Sequence, residues 1–297
     1  MTERGRKNVE KTKRKHKFSF SKLCIYVILI AVTISFIFPY LWLIASSFKL
    51  PSAIFSKEFS LIPRDAEGNI KFVVENYIGA IEALNLGTVF KNTMIVCVLN
   101  TIINLFFNSL AAYSFARLNF PGKKAIFAAL IVTMMVPGTV LMIPNIIIVN
   151  KLGMYDTLGA LILPFAMSVY NIFLLRQQFY ALSGAIEEAA RIDGASNFRI
   201  YAQISIPLVA PILVIQGITT FMWNYNNFMW PLVATQSEEN FTLARSLGVL
   251  VFMGQNNWEN YPVMLAGAVA VSAPMIIIYF ALQKYIIGGI AVGGMKD

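Results

Sequence analysis

Three clusters in this sequence have residue types and spacings that could do chemistry, and that chemistry is non-covalent holding. Asn100, Asn104 and Asn108 recur every four residues, which sets three amides on one slowly drifting face of a helix. Such a stripe either ties helices together, at about 0.6 to 2 kcal/mol per hydrogen bond in a membrane, or lines a wet path for hydroxyl-rich solutes. Asn171 is assigned to the same path. The run from Trp223 to Pro231 joins rings to amides, with Tyr225, Asn226 and Asn227 at its centre. Rings stack on the CH faces of sugars and amides bridge paired hydroxyls. An aromatic belt at the membrane surface has the same composition. The third cluster, Ala185 to Leu208, is a polar, small-residue stretch between apolar runs. Ser183 is placed to cap a short helix, Glu187 and Glu188 sit in its first turns, and Gly194 stops it. Ala190 and Gly194, with Ala189 beside them, leave a strip of little bulk that a partner's backbone can approach, and Ser196 caps a second helix running towards Pro207. A helix-turn-helix connector with an exposed acidic face accounts for the same residues.

Bond-making chemistry has little to work with. Cys24 and Cys97 fall in apolar runs, and His16, the one histidine, lies in the basic N-terminal stretch, so no metal site of ordinary Cys/His spacing is expected. Phe120-Pro121-Gly122-Lys123-Lys124 has a Gly-Lys pair without the spacing or the hydroxyl of a nucleotide loop. Asp156 and Arg176 are available to a membrane enzyme but have no paired arrangement. The apolar runs carry no ionisable group through their middles, which leaves nothing to relay a proton.

The elements that must position these clusters are membrane helices. Of the 297 residues, 57% are hydrophobic and 13% charged, and the mean hydropathy is +0.65. Runs near the roughly 20 residues needed to cross a bilayer cover Leu23 to Ser46, Asn92 to Ser114, Ala125 to Val149, Leu158 to Leu175, Leu208 to Ala234 and Pro262 to Leu282. The fold class expected is therefore an all-α integral membrane protein of about six transmembrane helices, with prolines 137 and 144 bending the third. The basic residues before Leu23 put the N-terminus in the cytoplasm. Six crossings return the C-terminus there, with Arg117, Lys123, Lys124 and the 183–207 loop inside. That distribution explains the net charge of +9 without nucleic acid. Residues 1–22 form a cytoplasmic tail, 23–285 the transmembrane domain and 286–297 a C-terminal tail.

Glu188-Ala189-Ala190, then Gly194, then Ile204-Ser205-Ile206-Pro207 resembles the cytoplasmic signature loop of the membrane-spanning permeases of type I ABC importers. Ile192-Asp193-Gly194-Ala195 and Tyr225 to Leu232 resemble its carbohydrate-transporting, maltose-permease-like branch. Tyr225 stands where that branch usually has tryptophan, and Asn227 where it has aspartate. Pro39 to Trp42, Ala111 to Leu118, Met135 to Pro144 and Gly288 to Lys296 extend the likeness along most of the chain.

The resemblance implies a permease subunit that is not itself an enzyme. Glu188, Ala189, Ala190, Asp193, Gly194 and Ala195 would form a coupling helix seated in an ATPase, and Gly293, Gly294 and Lys296 would also reach it. The implied partners are a homologous second permease, two ATPase subunits and an extracytoplasmic solute-binding protein. No cofactor belongs to this chain; ATP and Mg belong to the ATPase. The implied substrate is a sugar or oligosaccharide. Glycerol phosphate, polyamine or peptide in the same importer class, or a membrane-embedded enzyme, are the alternatives.

Overall fold

The computed structural model describes residues 20–56, 60–65 and 67–294, with side chains over 22–285 of these. The basic stretch up to residue 19, and Lys296 in the expected ATPase contact, lie outside the described residues. The architecture is helical, and an isolated bridge between Arg64 and Ile70 is the strand-like pairing among the described residues.

Helix α1 (Phe20–Ser47) is followed by the turn α2 (Pro51–Ile54), α3 (Glu75–Leu84) and α4 (Leu86–Arg117). Then come α5 (Lys123–Thr133), α6 (Met142–Lys151), α7 (Leu158–Ile162), α8 (Val169–Ala181), α9 (Gly184–Ile192) and α10 (Asn197–Ile200). A π turn (Tyr201–Ser205) leads through α11 (Ile206–Leu208) to α12 (Ala210–Asn226), α13 (Met229–Ala234), α14 (Leu243–Asn256) and α15 (Tyr261–Gly294). Gly293 and Gly294, expected in a tail, continue the backbone of α15.

Among the described residues three unbroken helices are long and apolar enough to cross a bilayer, over Lys22–Ser47, Leu86–Arg117 and Trp258–Tyr285, and counting each of two bent pairs as one span gives up to five. The expected 125–149 segment is split into α5 and α6. Pro137 lies in the gap and Pro144 in the first turn of α6, where the missing N–H has no helical partner to lose. The expected bend at these prolines is a full interruption.

The fourth and fifth segments are also broken. Between α7 and α8 the chain turns through 43°. Pro164 sits in a 3-10 turn there, and the Ser168 hydroxyl accepts from the Asn171 N–H to start α8. Between the α10–α11 stretch and α12 it turns through 79°, with Pro207 and Pro211 on either side of Val209. Helix α4 has no proline and runs unbroken for 32 residues through the centre of the molecule.

Buried side chains gather in three clusters along α4. One surrounds Leu84, Val89, Cys97, Leu250 and Leu265, a second Val96, Leu161, Ile162 and Trp230, and a third Tyr113, Phe115, Leu175, Phe179, Ile200 and Tyr201. Helix α12 crosses α4 closely at Gly217, where a Cβ would come within 3.2 Å of Leu105. Helix α1 buries none of its most apolar window and touches α15, where the Tyr40 and Ser272 hydroxyls share a 2.9 Å bond. Its exposed rings, Phe36 at 80% among them, require an apolar solvent.

Candidate functional site

Asn100, Asn104 and Asn108 are all buried on α4, facing the break between α7 and α8. A broken helix in a membrane leaves carbonyls and N–H groups that must find partners within the protein. The asparagines supply them. Asn100 Nδ2 donates to the Ile162 carbonyl (2.8 Å), Asn104 Nδ2 to the Phe165 carbonyl (3.1 Å), and Asn108 Oδ1 accepts from the Ser168 N–H (3.0 Å). Asn104 Oδ1 also accepts from Asn108 and from Asn171 Nδ2, the latter at 3.0 Å.

The stripe has a counterpart that the reading of single clusters missed. Gln216, Thr220 and Asn224 repeat the four-residue spacing on α12, and that spacing was the signal available in the sequence. Asn224 Nδ2 donates to Asn100 Oδ1 (2.9 Å), Gln216 Nε2 to the Asn171 carbonyl (3.2 Å), and Asn171 Nδ2 reaches Thr220 Oγ1 (3.4 Å). Tying helices and lining a space are therefore compatible. Asn100, Asn104 and Asn171 border a cavity of about 340 Å³ whose other walls are Phe165, Met167, Ser168, Tyr170, Thr219, Thr220 and Trp223. None of these residues is a carboxylate, an amine or a guanidinium.

Trp223 and Thr219 also border an open hollow of about 630 Å³, together with Asn226 and Asn227. The Asn227 side chain accepts from the Trp230 N–H (3.3 Å) and so starts α13, while Asn226 is exposed and bonds its own helix at the Met222 carbonyl. Two expected path residues lie elsewhere. Asn108 is fully buried behind the cavity, and Tyr225 is buried with its hydroxyl donating 2.7 Å to the Val271 carbonyl on α15, so neither borders the cavity or the hollow. A tyrosine one residue from an exposed amide is turned about 100° around the helix, which directs it into the core. Trp230 is buried as well, with Nε1 donating to the Ala160 carbonyl (2.9 Å) and its ring edge-on to Phe165, so it belongs to no surface belt.

The 183–207 stretch has the expected helix end and a different beginning. Gly194 adopts φ +79°, its N–H bonds the Arg191 carbonyl (3.0 Å), and the Ala195 N–H bonds the Ala190 carbonyl (2.9 Å). These two bonds form a Schellman end, which needs a residue free to enter the left-handed region. Ser196 caps α10 by accepting from the Arg199 N–H, but the Ser183 side chain makes no capping bond at α9.

The strip of small residues is divided by helical period. Ala190 and Ala195 pack inward against the Tyr113–Phe179 cluster, whereas Glu188, Ala189, Asp193 and Gly194 are exposed. A Cβ at Gly194 would meet nothing within 4 Å. Exposed beside them are Ile186, Phe198 and Ile192, the last at 86%. These apolar side chains were not singled out from the sequence, although three bulky residues on a polar loop were the signal.

Glu187 is buried beneath this surface, with Oε1 3.2 Å from Arg117 Nε and accepting from the Ser205 hydroxyl (3.3 Å). The Arg117 contact is close but is not aligned as a hydrogen bond, and Arg117 Nη2 donates to the Leu182 carbonyl (2.6 Å).

At the opposite end of α4, Asp156 holds the loop that follows α13. Its carboxylate accepts from the Gln236 N–H (2.8 Å), the Ser237 N–H and hydroxyl, and Asn240 Nδ2. Desolvation alone would raise this carboxyl. The donated bonds outweigh it and hold the pKa down at about 2. Asn92 Nδ2 pins the same loop at the Glu239 and Phe241 carbonyls, and Arg245 pins it at Thr235 while lying 3.7 Å from the centre of the Phe241 ring. Arg176 is likewise occupied, bonded to the Phe115 carbonyl and stacked 3.8 Å over Phe127. Asp156 and Arg176 form no catalytic pair.

The arrangement can hold an uncharged solute and can present a loop to another protein. Comparison with known proteins agrees with a membrane transport component. The probable ABC transporter permease protein YurM of Bacillus subtilis (strain 168) is 32% identical over 288 residues, covering 96% of this chain and 92% of YurM. The arabinooligosaccharides transport system permease protein AraQ of the same organism is 31% identical, over 94% of this chain and 98% of AraQ. A crystal structure of a bacterial ABC transporter involved in import of the acidic polysaccharide alginate superposes with a TM-score of 0.77 at 24% identity, covering 91% of this chain and 99% of that one. Residues 106–291, which include the α8 and α12 walls of the cavity and the Schellman-ended loop, match the family model described as the binding-protein-dependent transport system inner membrane component, and the chain belongs to that family of transport proteins.

Proposed function

We propose that this chain is one of two membrane-spanning subunits of an ATP-driven importer and that its solute is a neutral sugar or oligosaccharide. The lining of the cavity between α4, α8 and α12 carries the substrate class: amides, hydroxyls and rings, with no fixed countercharge for an ionic solute. AraQ, named for arabinooligosaccharides, supports the same class. The open hollow that shares Thr219 and Trp223 with the cavity gives room for a chain of sugar units rather than one ring.

In this reading both termini and the 183–207 loop face the cytoplasm. The exposed Glu188, Ala189, Asp193 and Gly194 seat in an ATPase cleft with Ile186 and Ile192 as apolar anchors, while Ala190 and Ala195 shape the turn. Gly293, Gly294 and Lys296 reach the ATPase pair. The ATPase subunits hold ATP and Mg, a homologous permease completes the path, and an extracytoplasmic binding protein delivers the solute. ATP binding draws the loops together and opens the cavity to the binding protein, which requires that the nucleotide favour one of two conformations.

Tagging the chain in its native membrane, solubilising it gently and identifying what co-purifies by mass spectrometry tests this reading. Recovery of a second permease and an ATPase is the expected result. Recovery of the chain alone, under conditions that preserve other membrane complexes, would sink it. The captured binding protein is then titrated with neutral and charged sugars, and a preference for a charged solute would overturn the substrate class.

A further inference from the structure

We infer that α4 is a rigid rod that carries displacement of the 182–205 loop to the cavity, and that Arg117 and Glu187 are the positioning pair at its end. This rests on the reading of the chain as a solute-passing subunit driven through that loop. The observation behind it is a second polar series on α4. Ser109, Tyr113 and Arg117 recur every four residues, about a quarter turn round the helix from Asn100, Asn104 and Asn108.

Each member of the second series meets the loop or its supports. The Ser109 and Tyr201 hydroxyls share a 2.7 Å bond. Tyr113 packs edge-on to Phe179 at 5.5 Å between centroids and tilted against Tyr201 at 5.3 Å. Arg117 holds Leu182 and Glu187, and Glu187 in turn holds Ser205. The loop is thus fastened before α9, within α9 and in the π turn, directly to α4 or through Glu187.

Of the two covalent routes from the loop to the cavity, the forward one is interrupted by the π turn and the 79° bend at Val209, while α8 runs back unbroken to Tyr170 and Asn171 in the cavity wall and packs along α4. Helix α4 connects the same two places without a break. Its Asn100 and Asn104 border the cavity, so a shift of its Arg117 end is a shift of two cavity walls.

The polar cluster at that end also has slack. The buried Tyr113 hydroxyl lies beside the Ser205 hydroxyl without an aligned hydrogen bond, and Arg117 Nε has no aligned acceptor. Buried polar groups are ordinarily satisfied. Groups left over beside a carboxylate are those a second arrangement of Glu187 would use.

The test uses the assembled complex, with its ATPase and binding protein, in vesicles, and reads solute taken up per ATP hydrolysed. Glu187→Gln keeps the side-chain shape, and its complex is expected to assemble and turn over ATP while uptake per ATP falls about tenfold, within the range of measured coupling effects. Arg117→Glu alone is expected to fall further, and the exchanged pair Arg117→Glu with Glu187→Arg to recover part of the loss.

A distance between spin labels on the exposed positions 102 of α4 and 185 of α9 gives a second reading that does not depend on the exchange folding. It should be the same with and without ATP in the wild type and should change with ATP in Glu187→Gln. Undiminished uptake per ATP in Glu187→Gln, or a wild-type distance that changes with ATP, overturns the inference alone. Failure of the wild type to show ATP-driven uptake overturns the importer reading and this inference together.

Discussion

Asp156 and Glu187 fasten loops at opposite ends of α4, and they do it by different chemistry. Asp156 is held by neutral donors, backbone N–H, hydroxyl and amide, each on the loop it closes. Glu187 is held by a cation on another helix and one hydroxyl, with a guanidinium N–H and a tyrosine hydroxyl in the same cluster that make no aligned hydrogen bond. A carboxylate saturated by short-range donors has one good position. A carboxylate sharing a buried cluster with spare donors is less narrowly fixed, so on the coupling proposal charge pairing marks the end that moves and amide satisfaction the end that stays.

The largest effect that can break this contrast is expected at Gly194, on the moving end. Gly194→Val forces a β-branched side chain into φ +79°, at a cost of about 1–2 kcal/mol or more, and uptake should be lost. Asn tolerates that backbone, and space around the Cβ is open, so Gly194→Asn should keep most of the uptake. Equal loss in both variants, measured as ATP-dependent uptake at matched complex levels, would show that bulk at the ATPase contact matters more than the turn.

Next in size is Asn104→Leu, which removes a donor to the Phe165 carbonyl and an acceptor for Asn108 and Asn171. At about 0.6 to 2 kcal/mol per bond, the complex should be measurably less stable to heating in detergent. Uptake should fall more than the amount of assembled complex, because Asn104 borders the cavity. Parallel falls would assign it to helix tying alone.

The static end gives a pH signature. The bonds donated by Ser237, Gln236 and Asn240 hold the folded carboxyl of Asp156 down at about 2, below the ordinary carboxylate value. Its contribution is therefore complete above about pH 4 and is lost as the pH falls towards 2. Protease cleavage within the 235–242 loop should rise over that window in the wild type and be high at all pH values in Asp156→Ala. A pH-independent wild type would remove the contrast between the two carboxylates.

The smallest effect is expected for Tyr225→Phe, which deletes the bond to the Val271 carbonyl. A loss of about 1 kcal/mol in stability, with unchanged competition among sugars for uptake, would place Tyr225 with the structural residues.

The unbroken helices were legible because continuous apolar sequence fixes both their length and their environment, as in α1, α4 and α15. The breaks at Pro164 and around Val209 were less so. A proline announces a missing donor but not how far the chain turns. The Asn100–Asn108 stripe was visible from its spacing, but its acceptors are the Ile162 and Phe165 carbonyls, and backbone carbonyls leave no mark in a sequence. The Arg117–Glu187 pair joins segments 70 residues apart, and no local pattern announces it.

The length of α4 has a consequence for where charge can sit. Thirty-two residues at about 1.5 Å each give roughly 48 Å of helix, against a hydrocarbon thickness of about 30 Å. The helix therefore overhangs the apolar slab by several turns in sum, even when tilted. In the proposed orientation an arginine at its last residue lies in the headgroup region, where a formal charge needs no special compensation from lipid. The overhang makes an ionic joint affordable there, and a permease with a shorter second crossing would have to fasten the same loop with neutral groups.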